Sequence, residues 1–192
     1  MEAFYGRAPE LAAHPFGCRV LQRILEHCTA PQCRPILDEV LERVIELSDD
    51  QYGNYVIQHI LERGKSEDKD RVYTVMKGHV LTMSMHKFAS NVVEKVLQHG
   101  AQTHREVVHE EILRSTSGEQ DSPIVQMMKD QYGNYVVQKM LEYSSDTERD
   151  KIVTCIKENS AQLKTGTYGK HLITRLEKVT GIHLDGAAPR AE

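Results

Sequence analysis

No stretch of this chain approaches the roughly 18 consecutive apolar residues that a membrane-spanning helix needs. Its first residues, MEAFYGRAPELAAH, lack a basic region followed by an apolar core. Neither a membrane span nor a secretory leader is therefore expected, and a cytoplasmic location is. Cysteine is scarce, with 4 in 192 residues. Cys18, Cys28, Cys33 and Cys155 form no C-x-x-C pair, so reduced thiols are expected. A zinc set drawn from His14, Cys18, Cys28 and Cys33 fits no finger spacing, and no ligand pair repeats, so neither a metal nor another cofactor is expected. Basic excess is lacking too: the formal net charge is −4. That removes the global signal of a nucleic-acid binder, although the field that matters is local to one face. Glycine-rich phosphate loops and Ser-His-Asp or Cys-His arrangements are missing. His27, His59, His99 and His109 lie in different segments or at helix ends with no repeated carboxylate partner. Neither catalysis nor a small-molecule substrate is expected. Finally, no alternating strand pattern of useful length occurs, which leaves an all-α chain.

What the chain does have is repetition. DQYGNYVIQHIL from Asp50 returns as DQYGNYVVQKML from Asp130, and both align with HPFGCRVLQRIL from His14 and HKFASNVVEKVL from His86. The four starts step by 36, 36 and 44 residues, and the extra eight fall in the polar stretch Ser115 to Ser122, read as a surface loop. A decayed fifth copy, TGTYGKHLITRLEK, starts near residue 166. Such self-similarity marks a stacked repeat architecture.

Within each copy the apolar residues recur at helical spacing: Val20, Leu21, Ile24 and Leu25; Val56, Ile57, Ile60 and Leu61; Val92, Val93, Val96 and Leu97; Val136, Val137, Met140 and Leu141. This predicts one buried helix face, repeated. An apolar residue ahead of each helix (Leu11, Leu47, Met83, Met127, Leu163) holds the same register. Second amphipathic stretches follow, expected to break at Pro35 in one copy and Gly78 in another. Each unit then holds two or three short helices, and units that cannot bury a face alone stack into a solenoid of either hand.

Opposite the apolar set, positions i, i+1 and i+4 of each helix are expected together on one exposed edge. They are Cys18, Arg19 and Gln22; Asn54, Tyr55 and Gln58; Ser90, Asn91 and Glu94; and Asn134, Tyr135 and Gln138. A polar helix face is ordinarily just solvated, and a tyrosine at a helix start ordinarily packs half-buried. Four aligned copies, two with an identical Asn-Tyr-x-x-Gln, favour a repeated contact instead. The middle residues offer planes on which unstacked bases could rest, each worth roughly 1–3 kcal/mol. A protein-interaction solenoid of the armadillo or HEAT type would suit the acidic balance, but gives no reason for Tyr55 and Tyr135 to recur.

On HPFGCRVLQRILEHC, DQYGNYVIQHIL, HKFASNVVEK and MMKDQYGNYVVQKM, the chain resembles the Pumilio (PUF) family of RNA-binding proteins over roughly Leu11 to Lys178. The match is to the last four repeats and the C-terminal cap. The resemblance implies a right-handed α-solenoid that reads single-stranded RNA one base per repeat. It implies base-edge roles for Cys18, Gln22, Asn54, Gln58, Ser90, Glu94, Asn134 and Gln138, and stacking roles for Arg19, Tyr55, Asn91 and Tyr135. In the family Cys/Gln with Arg reads adenine, Asn/Gln uracil and Ser/Glu guanine, with the RNA antiparallel, which implies 5′-UGUA-3′. The chemistry agrees: an ionised Glu94 only accepts, as guanine's adjacent N1–H and N2–H require, whereas Gln and Asn both donate and accept, as uracil requires. Messenger RNA 3′ untranslated regions as targets, post-transcriptional repression, and repressor or deadenylase partners on the convex face are implied likewise.

The expected organisation is an N-terminal remnant over residues 1–13, a repeat domain over 14–180 with a degenerate cap from 166, and a disordered tail over 181–192. In the cap, His171 is placed to touch the 5′ side of the RNA. Relative to the family, four repeats are missing at the amino end. This bares the first repeat, and predicts self-association or marginal stability unless Phe4, Tyr5 and Leu11 fold back over it.

Overall fold

The computed structural model describes residues 2–114 and 122–180. The tail beyond Thr180 and most of the expected loop at Ser115 to Ser122 lie outside the described residues. Every regular element among the described residues is helical, as expected for a solenoid of helical repeats. After a 3-10 turn at Glu2–Phe4, the helices come in sets of one short and two long: α1 (Ala8–Ala12), α2 (Gly17–His27), α3 (Ala30–Leu41); α4 (Val44–Asp49), α5 (Gly53–Arg63), α6 (Ser66–Met76); α7 (Val80–Ser84), α8 (Ala89–His99), α9 (Gln102–Leu113); α10 (Pro123–Lys129), α11 (Gly133–Tyr143), α12 (Asp146–Glu158); then α13 (Ser160–Thr165) and α14 (Thr167–Thr180). The chain divides into two compact bodies between Val108 and His109, inside α9.

The letter that opens each copy starts the first long helix. Asp50 Oδ1 accepts from the backbone N–H groups of Tyr52 and Gly53 at 2.8 and 2.7 Å, and Asp130 Oδ1 repeats this on Tyr132 and Gly133. His14 and His86 do the same through Nδ1, at 3.2 and 3.4 Å. A helix start leaves backbone donors without partners, and these side chains take two of them. The short helix then crosses so close that a Cβ on Gly53 would lie 2.7 Å from the Leu47 carbonyl oxygen. The third copy carries a buried Ala89 here, so the crossing of α7 and α8 accommodates a methyl.

In the first body α5 packs on α2 and α8 packs on α5. Val56, Ile57, Ile60 and Leu61, and their equivalents on α8 and α11, are fully buried as the periodicity predicts. The first copy departs from that expectation: Val20 is 44% exposed and Leu25 only half-buried. The cause is that α5 and α8 each lie against a preceding long helix, whereas α2 has none before it among the described residues. Phe4 and Tyr5 are half-buried, and the Tyr5 hydroxyl donates to the Gln32 carbonyl at 3.3 Å. The N–H groups of Gly6 and Ala8 donate to Glu39 at 2.6 and 2.9 Å, which ties this segment to α3.

A second departure concerns Pro35, which does not break the chain: α3 runs through it. Pro35 is exposed, so water can take the carbonyl it leaves unbonded. Gly78 does end its helix, with φ +85° between α6 and α7.

Side-chain contacts 33 residues apart join successive copies. Glu26 meets His59 at 3.1 Å, Glu62 meets Lys95, and in the second body Glu142 meets Arg175 at 2.7 Å. The hydrogen bond from Lys95 holds the Glu62 carboxyl below its ordinary 4.5, and Lys139 and Arg175 do so for Glu142. A carboxyl whose pKa is lowered by folding adds stability above its unfolded pKa and loses it as pH falls through the folded one. Glu62→Gln should therefore cost about 0.5–1 kcal/mol at neutral pH. Urea unfolding should show the gap from the parent closing as pH falls below about 4; equal stabilities at pH 7 would remove the ladder from the account.

Candidate nucleic-acid interface

On α5 the Asn54 amide is buried and its Nδ2 donates to the Asp50 carbonyl at 2.8 Å. Its Oδ1 in turn accepts from Gln58 Nε2 at 2.8 Å. On α11 the set recurs: Asn134 Nδ2 donates to the carbonyls of Asp130 and Gln131 at 2.8 and 3.1 Å, and Gln138 Nε2 donates to Asn134 Oδ1 at 3.2 Å. The i position therefore does not lie on an exposed edge, contrary to expectation. Cys18, Asn54, Ser90 and Asn134 are all buried in the first helical turn. Here a short side chain can fold back on the carbonyls just before the helix, as the two asparagines do.

The consequence is orientation. With one Nε2 hydrogen committed to asparagine, Gln58 and Gln138 keep their Oε1 and the second N–H, an acceptor beside a donor on a half-buried, pre-set amide. Beside them Tyr55 and Tyr135 stand 55% and 58% exposed, although each belongs to a well-packed helix. A large ring left in solvent twice at one register has no packing role there.

The other two copies are built differently. Cys18 is buried with its thiol toward the Pro15 carbonyl at 3.6 Å, Gln22 is half-buried and Arg19 exposed. In the third, Ser90 is buried, Glu94 half-buried, and the exposed Asn91 donates through Nδ2 to the Phe88 carbonyl at 3.2 Å. That bond lays the Asn91 amide against its own helix start. On α14 Lys170, His171 and Thr174 are exposed, with His171 at the register of Tyr135, and Thr174 Oγ1 donates to the Lys170 carbonyl at 3.0 Å. The contact residues of the first three copies lie in one body; Asn134, Tyr135, Gln138 and His171 lie in the other.

All four histidines singled out in the sequence have a carboxylate nearby: His27 lies 3.7 Å from Glu26 and His99 3.9 Å from Glu62, while His59 and His109 approach theirs to 3.1 Å. His59 belongs to the ladder above. His109 is buried, with Nε2 2.8 Å from Ser144 Oγ and Nδ1 3.1 Å from Glu148 Oε1. The order serine, histidine, carboxylate is that of a hydrolase triad. Ser144 is itself buried, however, and its hydroxyl donates to the Met140 carbonyl. It is not presented to a substrate, and the cluster serves packing. Sequence spacing could not reveal it, because Ser144 lies 35 residues from His109.

The model for the Pumilio-family RNA binding repeat matches residues 7–41, 43–76, 79–113 and 123–156, well over half of the chain. Each match holds one short and two long helices. Pumilio homolog 1 of Arabidopsis thaliana is 49% identical over 61 residues, 32% of this chain and 6% of its own length. The maternal protein pumilio of Drosophila melanogaster is 51% identical over 58 residues, 30% of this chain and 4% of its own. Among solved structures, PUF-8 in complex with PBE-RNA gives a TM-score of 0.84 at 37% identity, covering 90% of this chain and 50% of that one. The Puf3 RNA binding domain bound to the Cox17 RNA 3′ UTR recognition sequence site A gives 0.80 at 34%, covering 90% and 53%. The chain thus spans about half the length of these solved structures and a small part of the curated relatives. Repeat matches, helical architecture and structural likeness agree: the chain belongs to the Pumilio family of RNA-binding repeat proteins.

Proposed function

We propose that this chain binds single-stranded RNA sequence-specifically, one base per repeat, with the core 5′-UGUA-3′. The observation that carries the reading is the pair formed by a pre-oriented glutamine and an exposed tyrosine, built identically on α5 and α11. The outward acceptor and donor of Gln58 and Gln138 match uracil's N3–H and a flanking carbonyl, and Tyr55 and Tyr135 supply the stacking plane. Glu94, with Ser90, takes guanine through its two adjacent donors, and Asn91 is the small plane beside it. Cys18 and Gln22 with Arg19 take the adenine. The order in sequence, read antiparallel, puts the α11 copy on the first base and the α2 copy on the last. His171 is proposed to lie by the 5′ side.

The RNA-bound relatives PUF-8 and Puf3, the latter on a 3′ UTR recognition sequence, support the ligand class. On this reading the targets are messenger RNA 3′ untranslated regions, the outcome is post-transcriptional repression in the cytoplasm, and repressor or deadenylase proteins engage the surface away from the RNA. Residues 14–180 are taken as the working repeat domain, with a cap from 166.

Four stacked bases return about 4–12 kcal/mol against an association cost of about 4–15 kcal/mol. Titration of UGUA-containing RNA into the isolated chain should therefore give a micromolar or weaker Kd, and a nanomolar value would contradict this balance. Tyr55→Ala should weaken that binding by about 1–3 kcal/mol, seen by calorimetry, while a scrambled RNA shows no comparable loss. The double change Ser90→Asn with Glu94→Gln should move the second-base preference from G to U by about 1–3 kcal/mol. An unchanged preference would leave the family standing and remove the base assignment.

A further inference from the structure

A second recurrent place has no part in the RNA reading. Leu37, Tyr73 and His109 are equivalent residues of successive copies, as are Gly64, Gly100 and Ser144, and Asp68, His104 and Glu148. At the second and third registers the first residue of a set approaches the other two. Tyr73 stacks on His104 with ring centroids 3.6 Å apart, and a Cβ on Gly100 would lie 3.1 Å from its hydroxyl. His109 contacts Ser144 and Glu148 as described. Leu37, facing Gly64 and Asp68, is too short to fill the same space. A hollow of about 820 Å³ remains there, against about 290 Å³ beside Tyr73.

The walls say what could enter. Leu25, Leu37 and Ile60 give it an apolar side. Asp68 lies in the wall only 2% exposed, its Oδ1 paired with Arg34 Nη1 at 2.8 Å and retaining a further lone pair toward the hollow. The lining carries four basic side chains, Arg23, Arg34, Arg63 and Lys65, against the carboxylates of Glu26, Glu67 and Asp68, a small positive excess, with Arg63 and Lys65 exposed and Arg63 3.8 Å from Glu26. One junction further on, the chain shows which side chain this register holds, because Tyr73 lies with its ring on the residue equivalent to Asp68.

We propose that this hollow receives a tyrosine side chain from a partner protein, carried on a short acidic peptide. The ring fills the gap left by Leu37 and Gly64, the phenol donates to Asp68 Oδ1, and flanking carboxylates meet Arg63 and Lys65. The hollow opens at the C-terminal ends of α2 and α5, the far end of both helices from Arg19 and Tyr55, so RNA and peptide can be held together.

The test is a ¹⁵N-¹H titration of the full chain with the blocked peptide Glu-Glu-Tyr-Glu-Glu, with alanine and phenylalanine versions as controls. Saturable shifts are expected at the amides of Cys33, Ile60 and Gly64. The alanine peptide should bind about tenfold or more weakly, as loss of a buried ring implies. Leu37→Tyr, which fills the space from within as Tyr73 does, should abolish the shifts and leave UGUA binding intact. Should that variant not fold, Asp68→Asn replaces it, and is expected to erase the preference for tyrosine over phenylalanine. Absence of saturation, equal binding of the alanine peptide, shifts at Tyr55 instead, or displacement of the peptide by UGUA RNA from these amides would each overturn the proposal.

Discussion

Burial of one apolar stripe against the helix before it is the constraint from which the rest of the first body follows. A unit of one short and two long helices has too little interior to enclose Val56, Ile57, Ile60 and Leu61 alone, so α5 must lie on α2 and α8 on α5. Val20 shows what happens without a predecessor: the same residue type at the same register stands 44% exposed. Each buried valine and leucine in the later copies contributes about 1.5–3 kcal/mol through that contact. No single helix start or ion pair matches the sum. Glu26 with His59 and Glu62 with Lys95 add register to a stack that apolar burial has already formed.

Within the first body, once the long helices are held side by side, the residues that open α2, α5 and α8 come to equivalent places, and their chemistry becomes a series. The nine residues from Asp50 to Gln58, and again from Asp130 to Gln138, carry three layers. Asp50 or Asp130 caps the helix, the buried asparagine four residues on bonds the backbone and grips the glutamine, and the tyrosine between them stays in solvent. The asparagine therefore positions the glutamine. An amide set in advance loses less rotamer freedom on binding than a free one, a saving of about 0.5–1.5 kcal/mol per side chain.

The sequence made the fold legible because its signals are local and repeated. Helical spacing, the recurring starts and the apolar residue before each copy locate the long helices and their inner face. What it hid was set by neighbours in space. That Val20 lies open and Val56 closed depends on what packs in front of them. That Asn54 and Asn134 are buried depends on carbonyls of the preceding turn, which helical periodicity ignores. The break expected at Pro35 does not occur, because proline removes one bond and an exposed helix flank tolerates that. The His109, Ser144 and Glu148 cluster joins the interior of α9 to the end of α11 and the first turn of α12, so no spacing rule could find it. The register of Leu37, Tyr73 and His109 was written in the repeats throughout, but its meaning rests on which of the three fills its hollow.

The account's central claim is that this one chain selects four bases in a fixed order. Selection from a random single-stranded RNA pool on the isolated 192-residue chain, followed by sequencing, tests it most directly. Enrichment of UGUA with freely varying flanks is the predicted result. Recovery of no motif, or of one whose second base is not guanine, would contradict it.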